Sequence, residues 1–317
     1  MNGWTTKDIP DQNGRVIVIT GANSGVGYES ALALAQRGAR VVMASRSMDK
    51  LEQARRDLLQ RIPKAQADVM KLDLGSLQSV RSFADDFNTR YDRLDILMNN
   101  AGIMLPPYGK TADGFELQFG TNHLGHYALT GLLLPKLLST PHSRIATTSS
   151  GAYLMGSMHW DDLQFERGYR PNQAYAQSKL ANVLFMRELQ RKLEAVNADT
   201  ISVGSQPGYA RTNLQNNQPQ TLGERVMYSV LRVTMSQDAA TGALYQLHSA
   251  TAPEVKGGEF FEPRWALKGR VVRRELTARG RSEADAARLW AISEQLTGVK
   301  YDFSAKTPRT HRELQSA

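Results

Sequence analysis

The chain has 317 residues, enough for one large α/β domain or two small ones, and at 41% hydrophobic and 22% charged residues it fits neither a disordered nor a fibrous class. Its 39 Lys and Arg against 31 Asp and Glu give a formal charge of +8, which attracts polyanions or a phosphorylated cofactor, but with no run of five basic residues nucleic acid is not an expected partner. The absence of cysteine removes disulfides, thiolate metal sites and cysteine nucleophiles.

Residues 1–15 are polar and contain Asp8, Pro10 and Asp11, which does not suit a secretory signal. Residues 16–20 (VIVIT) read as a strand, followed by a helical pattern to Arg37. A strand at 40–44 and a helix at 49–59 come next, then a strand at 67–72 and a helix to Tyr91 with Ser76 as its N-cap. A fourth strand at 94–99 precedes a long helix from about 113 to 138. Residues 131–138, the most apolar stretch, are broken by Pro135 and Lys136 and fall short of the about 20 residues a membrane helix needs. A soluble, cytoplasmic protein with no membrane span is expected. A fifth strand at 143–148, a long helix at 173–195 and a sixth strand at 200–206 complete the alternation.

Such alternation predicts right-handed βαβ crossovers and a mostly parallel, doubly wound sheet with helices on both faces. The expected architecture is a single Rossmann-type α/β domain over 1–302, with segments 151–172 and 209–235 over the substrate and a frayed tail at 303–317. The basic stretch 264–281 reads as a solvated loop before a helix at 282–296, with steering of an anionic ligand as a lesser alternative. The helix at 173–195 is apolar around much of its circumference, which fits either a homo-oligomer interface or a deep core.

Ligands in this architecture bind outside the carboxyl ends of the strands. After the first strand comes Thr20-Gly21-Ala22-Asn23-Ser24-Gly25-Val26-Gly27, opening a helix. Glycines let the backbone approach phosphate oxygens, and the helix start supplies open N–H groups. A plain strand–helix turn is the bland alternative. The second strand ends Ala44-Ser45-Arg46, where an NAD site would place Asp or Glu. Arg46 can grip a 2′-phosphate bidentately, which favours NADP(H) over a merely exposed arginine.

With Asp73-Leu74 after the third strand and Asn99-Asn100-Ala101-Gly102 after the fourth, the chain resembles the short-chain dehydrogenase/reductase family. The resemblance runs from about Arg15 to Thr212, and 257–261 (GGEFF) is similar to the family's last strand. It implies that Asp73 and Leu74 frame the adenine and that Asn100, Ala101 and Gly102 border the adenosine. Pro207 and Gly208 would flank the nicotinamide, and Thr212 would contact its carboxamide. The chain looks closest to the retinol-dehydrogenase-like branch. Related light-dependent protochlorophyllide reductases are thought to use a cysteine, which is absent here.

Reduction of a carbonyl leaves an alkoxide that needs a proton, and a positioned acid contributes about 10²–10⁴-fold. A free tyrosine has a pKa of about 10, so a nearby cation must ease its ionisation. Of eleven tyrosines, Tyr175 alone has a lysine, Lys179, four residues on, which puts both on one helix face. Ser150, after the fifth strand, would hold the substrate oxygen, and the family likeness prefers it to Ser149. The same likeness makes Asn122 the residue that holds a water leading to the lysine. His123 and His126 lack carboxylate companions at ligand spacing and read as structural; no metal is expected.

Twenty-four residues separate Ser150 from Tyr175, more than in the family's commonest members. This stretch holds Tyr153, Met155, Met158, Trp160 and Phe165, which with Met104, Leu105, Tyr209 and Leu214 are candidates for an apolar pocket wall or for plain core. The reading is an NADP(H)-dependent oxidoreductase that interconverts a lipophilic or aromatic carbonyl and its alcohol. A catalytically silent NADP(H) sensor is the alternative, although such proteins tend to lose the acid or its lysine. A sugar-nucleotide epimerase is disfavoured by the glycine spacing and chain length.

Overall fold

The computed structural model describes residues 3–208 and 237–304. The strands are β1 (Val16–Thr20), β2 (Arg40–Ser45), β3 (Gln66–Lys71), β4 (Ile96–Asn99), β5 (Arg144–Thr148), β6 (Ile201–Ser205), β7 (Phe260–Pro263) and β8 (Val271–Arg273). The helices are α1 (Gly25–Gln36), α2 (Met48–Arg61), α3 (Leu77–Arg90), α4 (Gly125–Leu138), α5 (Pro171–Ala195), α6 (Ala239–Thr251) and α7 (Glu283–Thr297). The sheet order is β3-β2-β1-β4-β5-β6-β7-β8, parallel throughout except for the antiparallel pair β7 and β8. The order reverses between β1 and β4, and that switch point opens the crevice where such sheets bind ligands.

Alternate strand residues feed two separate cores. Ile17, Ile19, Val41, Met43 and Met98 pack with Leu34, Leu51 and Leu247 of one helical layer. Val18, Val42, Leu97 and Ile145 face Phe83, Tyr127, Leu133 and Phe185 of the other. Both faces are buried, so the strands carry continuous apolar runs. On the second layer α7 lies over α5, and Tyr301 closes over α4, donating its hydroxyl to the Tyr127 carbonyl at 2.6 Å. The apolar circumference of α5 is thus a deep core, covered by the sheet on one side and by the chain's own C-terminal helix on the other.

Four details differ from the sequence expectation. The helix placed at 113–138 starts at Leu117, because Thr111 to Phe115 close a tight turn and Glu116 accepts the N–H groups of Gln118 and Phe119. It then runs through a π-helical segment, Gly120–Leu124, into α4. The basic stretch 264–281 is not all loop: it contains β8, and Arg274 pairs with buried Glu262 at 2.5 Å. Phe303, expected in the tail, packs on Trp290 with ring centroids 6.5 Å apart.

Candidate active site

Gly21 and Gly27 shape the turn after β1. Gly21 has φ +70°, a left-handed conformation in which a side chain is strained, and a Cβ there would lie 3.1 Å from Ala101. A Cβ at Gly27 would stand 2.5 Å from the Gly21 carbonyl and 2.6 Å from Asn100 Nδ2, so helix and strand approach only without one. Ser24 occupies the N-cap of α1 but its side chain makes no capping bond, which leaves first-turn N–H groups open. This uncapped start beside a glycine turn fits a cofactor phosphate.

Ser45 and Arg46 stand at the end of the neighbouring strand. Ser45 is buried, whereas Arg46 is exposed and makes no ion pair among the described residues. Asp73 turns its carboxylate onto the Gly75 N–H at 2.9 Å, and the Leu74 side chain is buried in the second core.

Thr20 is a hub that sequence reasoning missed. Its Oγ1 accepts the N–H groups of Asn100 and Ala101 at 3.0 and 2.9 Å, and Asn100 Nδ2 donates to the Thr20 carbonyl at 2.7 Å. His126 lies 2.9 Å from the same hydroxyl through Nε2 and 3.0 Å from the Asn122 carbonyl through Nδ1. A carbonyl only accepts, so Nδ1 carries the proton and Nε2 takes the threonine hydrogen. Burial drives the His126 pKa down to about 4, which keeps the ring neutral. Both histidines of this helix are thus structural: His123, pushed down to about 3 by burial, bonds Ser293 at 2.8 Å.

Asn122 sits in the π-helical segment. Its Oδ1 accepts from the Ile103 N–H at 2.8 Å, and its Nδ2 donates to the Ile103 carbonyl and to Ser178 Oγ, both at 3.0 Å. These bonds fasten the loop after β4 to α5. A Cβ on Gly102 would lie 3.1 Å from Asn122 Oδ1 and 3.3 Å from Lys179 Nζ, so Gly102, Asn122 and Lys179 meet at one point.

Lys179 is buried, its Nζ 5.7 Å from the centroid of the Tyr175 ring. Desolvation lowers its pKa to about 8. Tyr175 is half-buried at the same surface. The two serines after β5 divide their roles. Ser149 is buried and donates to the Lys179 carbonyl at 2.8 Å; Ser150 is half-buried and caps the 3₁₀ turn Gly151–Met155 by accepting from Ala152 N–H at 3.3 Å. Its hydroxyl hydrogen can still reach outward. A buried chain runs on from here: Asn182 Nδ2 donates to the Thr148 carbonyl, Thr148 Oγ1 to Gln246, Gln246 to Ser30, and Ser30 to the Val26 carbonyl, at 2.7 to 3.1 Å. It ties the helix of Lys179 to the cofactor turn, and nothing in the sequence pattern signals it.

The long stretch after Ser150 is pinned in place. Tyr169 donates to the Pro106 carbonyl at 2.9 Å and Lys110 pairs with Glu166 at 2.7 Å. Tyr153 and Phe165 are buried core, Met158 and Trp160 pack partly against it, and Met155 is exposed. Leu105 is buried and Met104 half-buried. Gly208 follows Pro207 with φ +68° and accepts no side chain, because a Cβ would collide with the Leu267 carbonyl. Tyr209, Thr212 and Leu214 lie outside the described residues, as does the whole of the expected cover segment 209–235. Among the described residues no cluster of His, Asp and Glu could hold a metal ion.

Comparison with known proteins identifies the family. The short chain dehydrogenase family model matches residues 15–223. Mouse (Mus musculus) retinol dehydrogenase 14 is 40% identical over 299 residues, covering 90% of this chain and 87% of that protein. Human (Homo sapiens) retinol dehydrogenase 11 is 40% identical over 294 residues, with 91% and 87% covered. The crystal structure of an uncharacterised protein from Mycobacterium paratuberculosis is 42% identical and superposes with a TM-score of 0.80 over 95% of this chain and all of that one. The family uses a nicotinamide cofactor on alcohols and carbonyls. The chain belongs to the short-chain dehydrogenase/reductase family, in its retinol-dehydrogenase-like branch.

Proposed function

We propose that the chain is an NADP(H)-dependent oxidoreductase that interconverts a lipophilic aldehyde or ketone and its alcohol, with Tyr175 as general acid and base. The observation that carries this reading is a buried lysine with no carboxylate partner among the described residues, its ammonium 5.7 Å from the Tyr175 ring. An ammonium in a dry site gains most from a neighbouring anion, and the phenolate of Tyr175 is the anion at hand.

A bound nicotinamide supplies or accepts the hydride. In reduction the chain must hold charge on the substrate oxygen and deliver a proton. Ser150 donates to that oxygen, Tyr175 releases its phenolic proton to it, and Lys179 stabilises the phenolate left behind. Asn122 fixes the loop that presents Gly102 to the lysine. The exposed Arg46, with no acid beside it at the end of β2, supports a 2′-phosphate and so NADP(H). The names of the relatives support a retinoid-like, apolar substrate.

The test is NADPH consumption against aldehydes, ketones and quinones, retinal included, alongside Tyr175→Phe and Arg46→Ala. Turnover should collapse in Tyr175→Phe while NADPH still binds. Arg46→Ala should weaken NADPH far more than NADH, and equal losses would remove its assignment. Tight NADPH binding with no turnover of any compound would favour the silent sensor. Stabilising the phenolate needs the charge on Lys179, so reduction should slow as pH rises through about 8, where the buried amine loses its proton.

A further inference from the structure

Five large apolar side chains are exposed among the described residues: Tyr108, Leu154, Met155, Val196 and Trp265, at 43, 46, 79, 45 and 68%. Four of them share one end of the molecule. Tyr108 follows β4, Leu154 and Met155 follow β5, and Trp265 follows β7; these strands are parallel, so all four residues lie beyond the carboxyl edge, where Ser150 and Gly208 are. Only three strand spacings, about 15 Å, separate β4 from β7. Val196, at the end of α5, lies at the opposite edge.

Trp265 is not on a loose loop. Arg264 N–H donates to the Arg270 carbonyl, Trp265 N–H to Lys268 and Ala266 N–H to Pro263, at 2.9 to 3.2 Å, which closes the turn between β7 and β8. Gln206 Nε2 donates to the Ala266 carbonyl at 2.8 Å, fixing the turn to the strand that leads to Pro207 and Gly208, and Tyr245 of α6 donates to the Gly269 carbonyl at 2.5 Å. Three of its seven residues are cations, Arg264, Lys268 and Arg270, and none forms an ion pair among the described residues. The Arg264 guanidinium is 6.0 Å from the Trp265 ring.

We propose that this end of the sheet docks on an anionic lipid bilayer, with Trp265 and Met155 entering the interface and Arg264, Lys268 and Arg270 meeting the headgroups. Tryptophan favours the boundary between apolar and wet surroundings, and each cation near an anionic leaflet contributes about 1 kcal/mol. The proposed contact is peripheral, and no described helix is long and apolar enough to cross a membrane. Docking in this orientation opens the crevice of Ser150 and Tyr175 toward the acyl chains, so a lipophilic substrate would enter without crossing water. That consequence rests on the proposed substrate class; the docking itself does not.

The test is co-sedimentation of the full chain with phosphatidylcholine vesicles, with and without phosphatidylglycerol. Binding should require phosphatidylglycerol, weaken with salt, and drop about fivefold for each cation removed in Arg264→Gln, Lys268→Gln and Arg270→Gln. Trp265→Ser should weaken binding while a small water-soluble aldehyde is still turned over and NADPH still binds. No sedimentation with either vesicle, or sedimentation unchanged in both classes of variant, overturns the proposal. It is also overturned if Trp265→Ser stops turnover of the soluble aldehyde, which would make Trp265 part of the substrate pocket. A self-association abolished by Trp265→Ser, with no vesicle binding, would assign the face to a second copy. Loss of turnover in Tyr175→Phe with vesicle binding intact separates the two readings.

Discussion

At the scale of single residues, Lys179 shows how far the site departs from what folding alone favours. Burial lowers its pKa from 10.5 to about 8, so the folded chain pays for every proton this amine carries. The sign follows from the two pKa values. Above about pH 10.5 the amine is neutral whether the chain is folded or not, and the burden vanishes. Below about pH 8 it is charged in both states, and the full burden, roughly 3 kcal/mol at about 1.4 kcal/mol per unit, falls on the folded one. Lys179→Met should therefore abolish turnover and raise the melting temperature at pH 7, with the gain shrinking as pH climbs toward 10.5. A variant less stable than the parent at pH 7 would show that the ammonium is compensated by a partner. The Tyr-x-x-x-Lys spacing was legible in the sequence because it needs only a helix. The Thr20 hub was not, since a threonine before a glycine turn looks like any strand end; its hydrogen bonds reach Asn100, Ala101 and His126 across the fold.

At the scale of elements, the strands were legible because both faces of the sheet are buried and each strand is an apolar run. Three features were not. β8 is a three-residue strand inside a basic stretch, and beside its pairing with β7 Arg273 and Arg274 meet Glu259 and Glu262 across the turn. The start of the helix at Leu117 depends on Glu116, a residue type seldom found as a cap. The π-helical turn leaves no mark on an apolar segment whose period is already blurred. The bridge from β5 to α1 through Gln246 is equally silent. Replacing Gln246 by Leu would leave Thr148 Oγ1 buried with nothing to accept its hydrogen and Ser30 without a donor, a loss of about 1–3 kcal/mol in urea unfolding. Because Ser30 in turn bonds the Val26 carbonyl in the first turn of α1, NADPH affinity should fall together with stability. An unchanged affinity at equal destabilisation would confine the bridge to packing.

At the scale of the whole molecule, the sequence left open whether the apolar circumference of α5 meets a second copy or a deep core, and the fold answers with the chain itself. Trp290 of α7 stands 5.2 Å from Tyr127 and 6.0 Å from Phe185, and the Tyr301 ring lies tilted 4.8 Å from Tyr127 and edge-on 4.5 Å from Trp290. Gly131 leaves the room that Tyr301 fills, since a Cβ there would lie 2.5 Å from its ring. The outer faces of α4 and α5 are therefore closed by a segment that lies beyond the last parallel strand. Trp290→Ala opens a cavity under this cover and should cost about 3–5 kcal/mol. Ending the chain at Arg281 removes α7, Val299 and Tyr301 together and uncovers a contiguous apolar surface of the kind that drives association. Size-exclusion chromatography with a hydrophobic dye should then report self-association and dye binding for the truncated chain, and partial dye binding with a lowered melting temperature for Trp290→Ala. A truncated chain that stays monomeric, dark to the dye and as stable as the parent would mean that the sheet alone holds α4 and α5. The C-terminal cover would then be dispensable to the fold.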